Sequence, residues 1–431
     1  MTQVNSPGQL PQKGVKPIVI IGALFFIFGF VTWLNSLLIP YLEIACELTI
    51  FQAYFVTFAF YIAYLVMAPL STRVLTVFGF KKGMSVALIV MAFGALLFIP
   101  AAMTRTYGLF LLGLFIMGSG LAILQTASNP YITIVGPPES AAKRISIMGI
   151  CNKLAGAMAP LILGLFLRLE DADKLQSEVA NMAADDRIAA LNEMAMRVIT
   201  PYVGIIAVLL ILAVWIYRSS LPEVDTDQED EFISASNFGK KSVFDFPHVM
   251  LGVLTLFLYV GVEVMAGDTI IRYGISQGIP LTTAKYFATA TMISMVVGYI
   301  IGIITIPKYI KQENALRICA LLGILFSVGA IFTQGYVSVA CIALLGLANS
   351  LMWPAIWPLA LAGVGRFTKA ASSLLVMGIA GGAIIPLLYG ALADSWGAQT
   401  AYWIMVPCYL FILYYAISGH NVGRKSSEIK F

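Results

Sequence analysis

Charge is scarce in this chain. Only 11% of its 431 residues are Asp, Glu, Lys or Arg, 60% are hydrophobic, and the mean hydropathy is +0.89. A soluble domain carries about a quarter charged and about half apolar residues, so a water-soluble enzyme built around one core is excluded. Histidine is scarcer still. His248 and His420 sit apart at the edges of apolar runs and form no metal-ligating cluster. The five cysteines, Cys46, Cys151, Cys319, Cys341 and Cys408, are odd in number and dispersed, which fits neither a disulfide framework nor a zinc pattern. No G-x-x-x-x-G-K-[ST] loop occurs, so nothing implies an ATP-driven pump. The net charge of +4 is modest and gives no footprint of a nucleic-acid partner.

Long apolar runs are abundant. A membrane-crossing helix needs about 20 apolar residues, and twelve such runs are read at 17–41, 53–72, 83–102, 107–135, 145–168, 199–219, 247–271, 283–306, 315–333, 336–363, 371–392 and 399–418. The polar start "MTQVNSPGQLPQKGVKP" precedes a run too long for a signal peptide. It is expected to be a cytosolic tail, residues 1–16. Lys and Arg cluster in alternate loops, at Arg73, Lys81, Lys82, Lys143, Arg144, Lys240, Lys241, Lys308 and Lys311. By the positive-inside rule these loops and both termini face the cytosol. A bacterial inner membrane and a monomer are expected.

Two polar segments interrupt the spans. Residues 169–197 read as one or two amphipathic surface helices. Residues 220–246 run from acidic to Ser/Asn/Gly-containing to basic, which is linker composition. The linker divides the chain into a half at 17–219 and a half at 247–419, with a tail at 420–431. The halves repeat. "AGAMAPLILG" from Ala155 lies over "GGAIIPLLYG" from Gly381 at an offset of 226, and Pro130 and Gln125 lie over Pro354 and Asn349 at 224. The expected fold is an all-α integral membrane protein of twelve helices in two pseudo-symmetric six-helix halves, with a site at mid-membrane.

Several polar residues fall at that depth. Lys153 lies about 12 Å into the fifth span and Gln125 about 15 Å into the fourth, at about 1.5 Å of rise per residue. A lysine stem reaches only about 6 Å towards the interface, and an unrelieved charge at this depth costs at least about 2.5–3.5 kcal/mol. Lys153 must therefore meet water, a ligand or a partner. Gln125 and Asn129 are four residues apart and share a helix face. Asn35 and Ser36 in the first span, Tyr259 and Glu263 in the seventh, and Asn349 and Trp353 in the tenth add amides, a carboxylate and aromatic planes. Amides suit sugar hydroxyls and aromatic faces suit the C–H faces of a sugar ring. Hydrogen bonding that merely holds the helices together uses the same residue types. Glu263 is the one carboxylate placed well inside a span, with Asp268 read as near a span end. Their five-residue spacing is a poor joint cation site.

The segments "LNSLLIPYLE", "GLAILQTASNPYITIVGPPES", "LYVGVEV" and "NSLMWPAIWPLALAGVG" resemble the fucose–glucose/galactose–hexose symporter branch of the major facilitator superfamily. The likeness runs over nearly the whole chain. It implies uptake of a hexose-type sugar (glucose or galactose, N-acetylglucosamine or fucose) by alternating access, coupled to H+ or Na+, with no other cofactor. Against that branch's pattern, Ser36 replaces an acid, Gln125 matches the glucose/galactose-type glutamine, and Asn152-Lys153 replaces Asn-Ser. Lys153 is then the candidate coupling residue, with Glu263, Ser36 and Asn152 beside it, either as proton carrier or as a fixed mimic of a coupling cation in a uniporter. A drug or metabolite antiporter on the same fold is the other transport reading. A membrane sensor would need a signalling domain, which these loops are too short to hold.

Overall fold

A computed structural model describes residues 17–134, 141–170, 182–219, 242–306, 308–364 and 367–424, with residues 172 and 221. Among them the regular structure is helical, without a strand. Twelve helices are long and apolar enough to cross a membrane: α1 (Pro17–Ala45), α2 (Ile50–Ser71), α3 (Arg73–Thr104), α4 (Tyr107–Ser128), α5 (Arg144–Leu167), α6 (Ala184–Arg218), α7 (Pro247–Asp268), α8 (Leu281–Thr305), α9 (Gln312–Phe332), α10 (Gly335–Leu361), α11 (Ala370–Trp396) and α12 (Thr400–Ile417). Each expected span has its helix. Two bounds differ for local reasons. Gly79, at φ 75°, breaks the first turns of α3 from the span that follows, a backbone conformation glycine adopts without steric cost. α6 opens with the amphipathic Ala184–Met196, which buries Leu191, Met194 and Ala195, before the apolar Ile199–Arg218.

Spans alternate in direction, so Pro17, Arg218 and Pro247 lie on one face, here the linker face, and the loops at 46–49 and 397–399 on the far face. Large apolar side chains such as Leu165, Ile211, Leu325 and Phe332 stand exposed on the outer surface. A contiguous apolar surface of this kind needs an apolar neighbour, which a bilayer supplies.

The two halves are built alike. α4 closes on α2 where a methyl at Gly118 would meet the Phe60 carbonyl, and α10 closes on α8 where a methyl at Gly346 would meet the Thr291 carbonyl. Small residues let helix backbones approach this closely, and in an apolar medium that packing holds helices together. α1 packs on α5 within the first half, and α7 packs on α11 within the second. Between the halves, α5 meets α8 and α2 meets α11.

Three spans are broken at mid-length, and α7 is broken at its far-face end. α1 turns at Leu34, where the Ser36 hydroxyl donates to the Trp33 carbonyl at 2.8 Å. α7 ends at Asp268 and resumes as Ile270–Ser276. α10 breaks at Ser350–Leu351, and α11 passes through a 3-10 turn at Gly378–Ala380. Irregular backbone at such depth is tolerated where it is buried in protein or lines a cavity.

Candidate functional site

α1, α5 and α7 meet at mid-membrane, and there Lys153 finds its partner. Its Nζ lies 2.5 Å from Glu263 Oε1, with both residues below a tenth exposed. Lys153 comes from the first half and Glu263 from the second, so the pair bridges the seam. The ammonium also lies 4.5 Å from the Trp33 ring centre, within cation–π range. Trp33 is held there by two glycines. A methyl at Gly156, three residues beyond Lys153, or at Gly267, four beyond Glu263, would run into the indole. Trp33 accompanies Asn35 and Ser36 in the first-span stretch "TWLNSLLIP", but the sequence does not show its contact with the charge pair. Its available signal was a small residue one turn from each buried charge, on the same helix face.

Tyrosines surround the carboxylate. Tyr259 lies one turn before it, and Tyr61, Tyr299 and Tyr409 all lie near enough to feel its charge. Through them the other expected residues connect. The Tyr409 hydroxyl donates to Asn349 Oδ1 at 2.9 Å. Gln125 Nε2 donates to the Tyr64 hydroxyl at 3.0 Å, and Tyr64 stacks on Tyr61. The Tyr259 ring lies 6.5 Å from Trp353, itself stacked on Trp357. Gln125 and Trp353 are only partly buried. Asn35 and Asn349 are buried, and each has an amide nitrogen with no hydrogen-bond partner. A buried orphan donor is costly, and a hydroxylated ligand would satisfy it.

Two expected residues have local partners instead. Ser36 caps the break in α1, and Asn152 Nδ2 donates across to the Phe25 carbonyl of α1 at 3.4 Å. The side chain of Asn129 lies outside the described residues. Asp268 ends α7, near a span end as expected, and is nevertheless fully buried; a short helix, Ile270–Ser276, follows it.

Residues 21–380 match the Major Facilitator Superfamily. The chain belongs to that superfamily. Its relatives are sugar transporters rather than enzymes. A glucose/galactose transporter of Brucella abortus is 35% identical over 403 residues, 92% of each chain. The L-fucose-proton symporter of Escherichia coli is 30% identical over 408 residues, 93% of this chain and 92% of the relative. The crystal structure of a Major Facilitator Superfamily transporter, FucP, in the outward conformation superposes with a TM-score of 0.70 at 29% identity, covering 93% of this chain and 98% of that one. The likeness expected from "LNSLLIPYLE" and "LYVGVEV" therefore holds over the full superfamily fold.

Proposed function

We propose that this protein takes up a hexose-type sugar by alternating access across a bacterial inner membrane, with its linker face and both termini in the cytosol, and that the Lys153–Glu263 pair couples the movement to a proton. The observation that carries this reading is the pair itself, one charge from each half at the seam. Parting two buried charges strands each of them, and a stranded buried charge is strongly destabilising. The cheapest relief is proton transfer, to Glu263 or from Lys153, with the sugar hydroxyls taking up the freed hydrogen-bonding positions. Gln125, Asn35 and Asn349 offer the amides for those hydroxyls. Tyr259 and Trp353 offer a face for the ring.

The names of the relatives support a glucose/galactose-type or fucose-type sugar, and N-acetylglucosamine belongs in the same panel. A second reading is favoured by the closeness of the pair: a permanently charged Lys153 would stand in for a coupling cation, and the protein would equilibrate sugar without concentrating it.

One experiment tests both. Purified protein in liposomes is offered a labelled sugar panel under imposed proton or sodium gradients, as wild type and as Lys153→Gln. The expected outcome is concentrative uptake driven by the proton gradient in wild type, with only exchange left in the variant. Concentrative uptake by Lys153→Gln with an unchanged pH profile would overturn the role of the pair. Equilibration without accumulation by wild type would select the uniporter.

A further inference from the structure

Outward of the Lys153–Glu263 pair, the halves are joined along a second line of contacts. Asp394 Oδ2 accepts from the Phe51 backbone at 2.9 Å, Arg272 holds both oxygens of Glu43 at 2.7 and 3.0 Å, and Tyr54 packs edge-on against Tyr389. Each contact joins the first half to the second, and together they close the far face. In the middle of this seam is Asp268. Its Oδ2 accepts from the Thr57 hydroxyl of α2 at 3.2 Å, and its Oδ1 has no hydrogen-bond partner. It is 0% exposed and makes no ion pair among the described residues.

The groups around it do not supply a positive charge. α2 presents Tyr54, Tyr61 and Thr57. α1 brings Trp33 against the neighbouring Gly267 and, further out, Glu43. α11 and α12 bring Tyr389 and Tyr402 to the same tyrosine cluster, with Asp394 nearer the far face. On its own helix, Glu263 is taken by Lys153, and Arg272, beyond the break, by Glu43. A lone carboxylate in such a place is paid for by neutralisation rather than kept charged. A metal ion does not fit either. Hard cations take about six oxygen ligands, and Asp268 has one side-chain oxygen partner.

We propose that Asp268 is a proton-binding site of the far-face seam: closing the seam takes one proton from the far-side water onto the Asp268 carboxylate, and opening it returns that proton. The inference rests on the alternating-access reading above, and its site is separate from Lys153. Its sign is fixed by the chemistry. The closed seam holds the extra proton, so acid on the far side favours closure and alkali favours opening. For a single proton the open-to-closed ratio changes by up to about tenfold per pH unit.

The test needs no sugar. Spin labels at Thr106→Cys and Gln334→Cys, both on the far face and in a background lacking the native cysteines, report the distance between halves in liposomes from pH 5 to 9. The wild-type distance is expected to lengthen with rising pH. Asp268→Asn, which keeps the shape of the neutral acid, is expected to hold the short distance throughout, and Glu43→Gln to keep the wild-type pH profile. A flat wild-type profile, a wild-type profile in Asp268→Asn, or loss of the profile in Glu43→Gln would each overturn the assignment. Failure of the transporter reading looks different: the seam would respond to pH while no sugar in the panel crossed the membrane.

Discussion

α5 and α11 are copies that differ at one decisive place. At their offset of 226 residues Lys153 lies over Ile379. α5 runs as unbroken helix through Lys153, whereas α11 loosens into the 3-10 turn Gly378–Ala380 around Ile379. The small-residue frame is retained. Gly156 takes the Trp33 ring against it, and its counterpart Gly382 takes the Tyr61 ring. The repeat thus preserves the shape in which helices and aromatic rings meet and changes the chemistry. With the cation on one copy only and its carboxylate on α7, the charge pair cannot close within either half. It has to span the seam, which makes it sensitive to the halves moving.

Five substitutions press on this comparison. The largest effect is expected from Ile379→Lys. The new cation would enter a buried position with Glu263 already occupied by Lys153, at a cost of at least about 2.5–3.5 kcal/mol on insertion scales. Size-exclusion profiles in detergent should show loss of the monodisperse species, and a variant as stable as wild type would mean the two copies are chemically interchangeable. Next come Gly156→Ala and Gly382→Ala. Overpacking costs about 1–3 kcal/mol, and the Gly156 variant should sit at the upper end, because Gly267 blocks the opposite side of Trp33 while Tyr61 meets Gly382 at 2.9 Å. Thermal unfolding in detergent compares the two, and equal losses would remove the special role of the Trp33 slot. The paired amides come last, with the smallest stability effect at Gln125. Asn349→Leu leaves the buried Tyr409 hydroxyl without its acceptor, costing about 1–3 kcal/mol. Gln125→Leu, at a partly exposed position, should cost less than about 1 kcal/mol while raising the KM for sugar. The reverse order would place the wetter amide in the second half.

Much of this was readable in the sequence. Apolar runs of about 20 residues are a local property, so the twelve spans and the repeat could be read without knowing any contact. The depth of Lys153 followed from counting residues, and that depth alone demanded a partner. The partner's identity did not follow. Glu263 is 110 residues away, and only the rotation of α5 and α7 about their axes brings the two charges face to face. The burial of Asp268 did not follow either: its place at the end of α7 was readable, but that neighbouring helices cover it completely was not. Tyr61, Tyr64 and Tyr409 do not stand out, because an aromatic residue in an apolar run looks the same whether it faces lipid or a site.

By itself the sequence determined how many helices are long and apolar enough to cross the membrane, and that one ammonium sits too deep to escape to either surface. These follow from transfer free energies, which are summed along the chain one residue at a time. The tertiary structure alone decided which carboxylate meets that ammonium, that glycines from two helices clasp an indole over it, and that an aspartate lies sealed between the halves. Such pairings depend on helix rotation and on how closely backbones approach, and those quantities exist only once all the helices are packed.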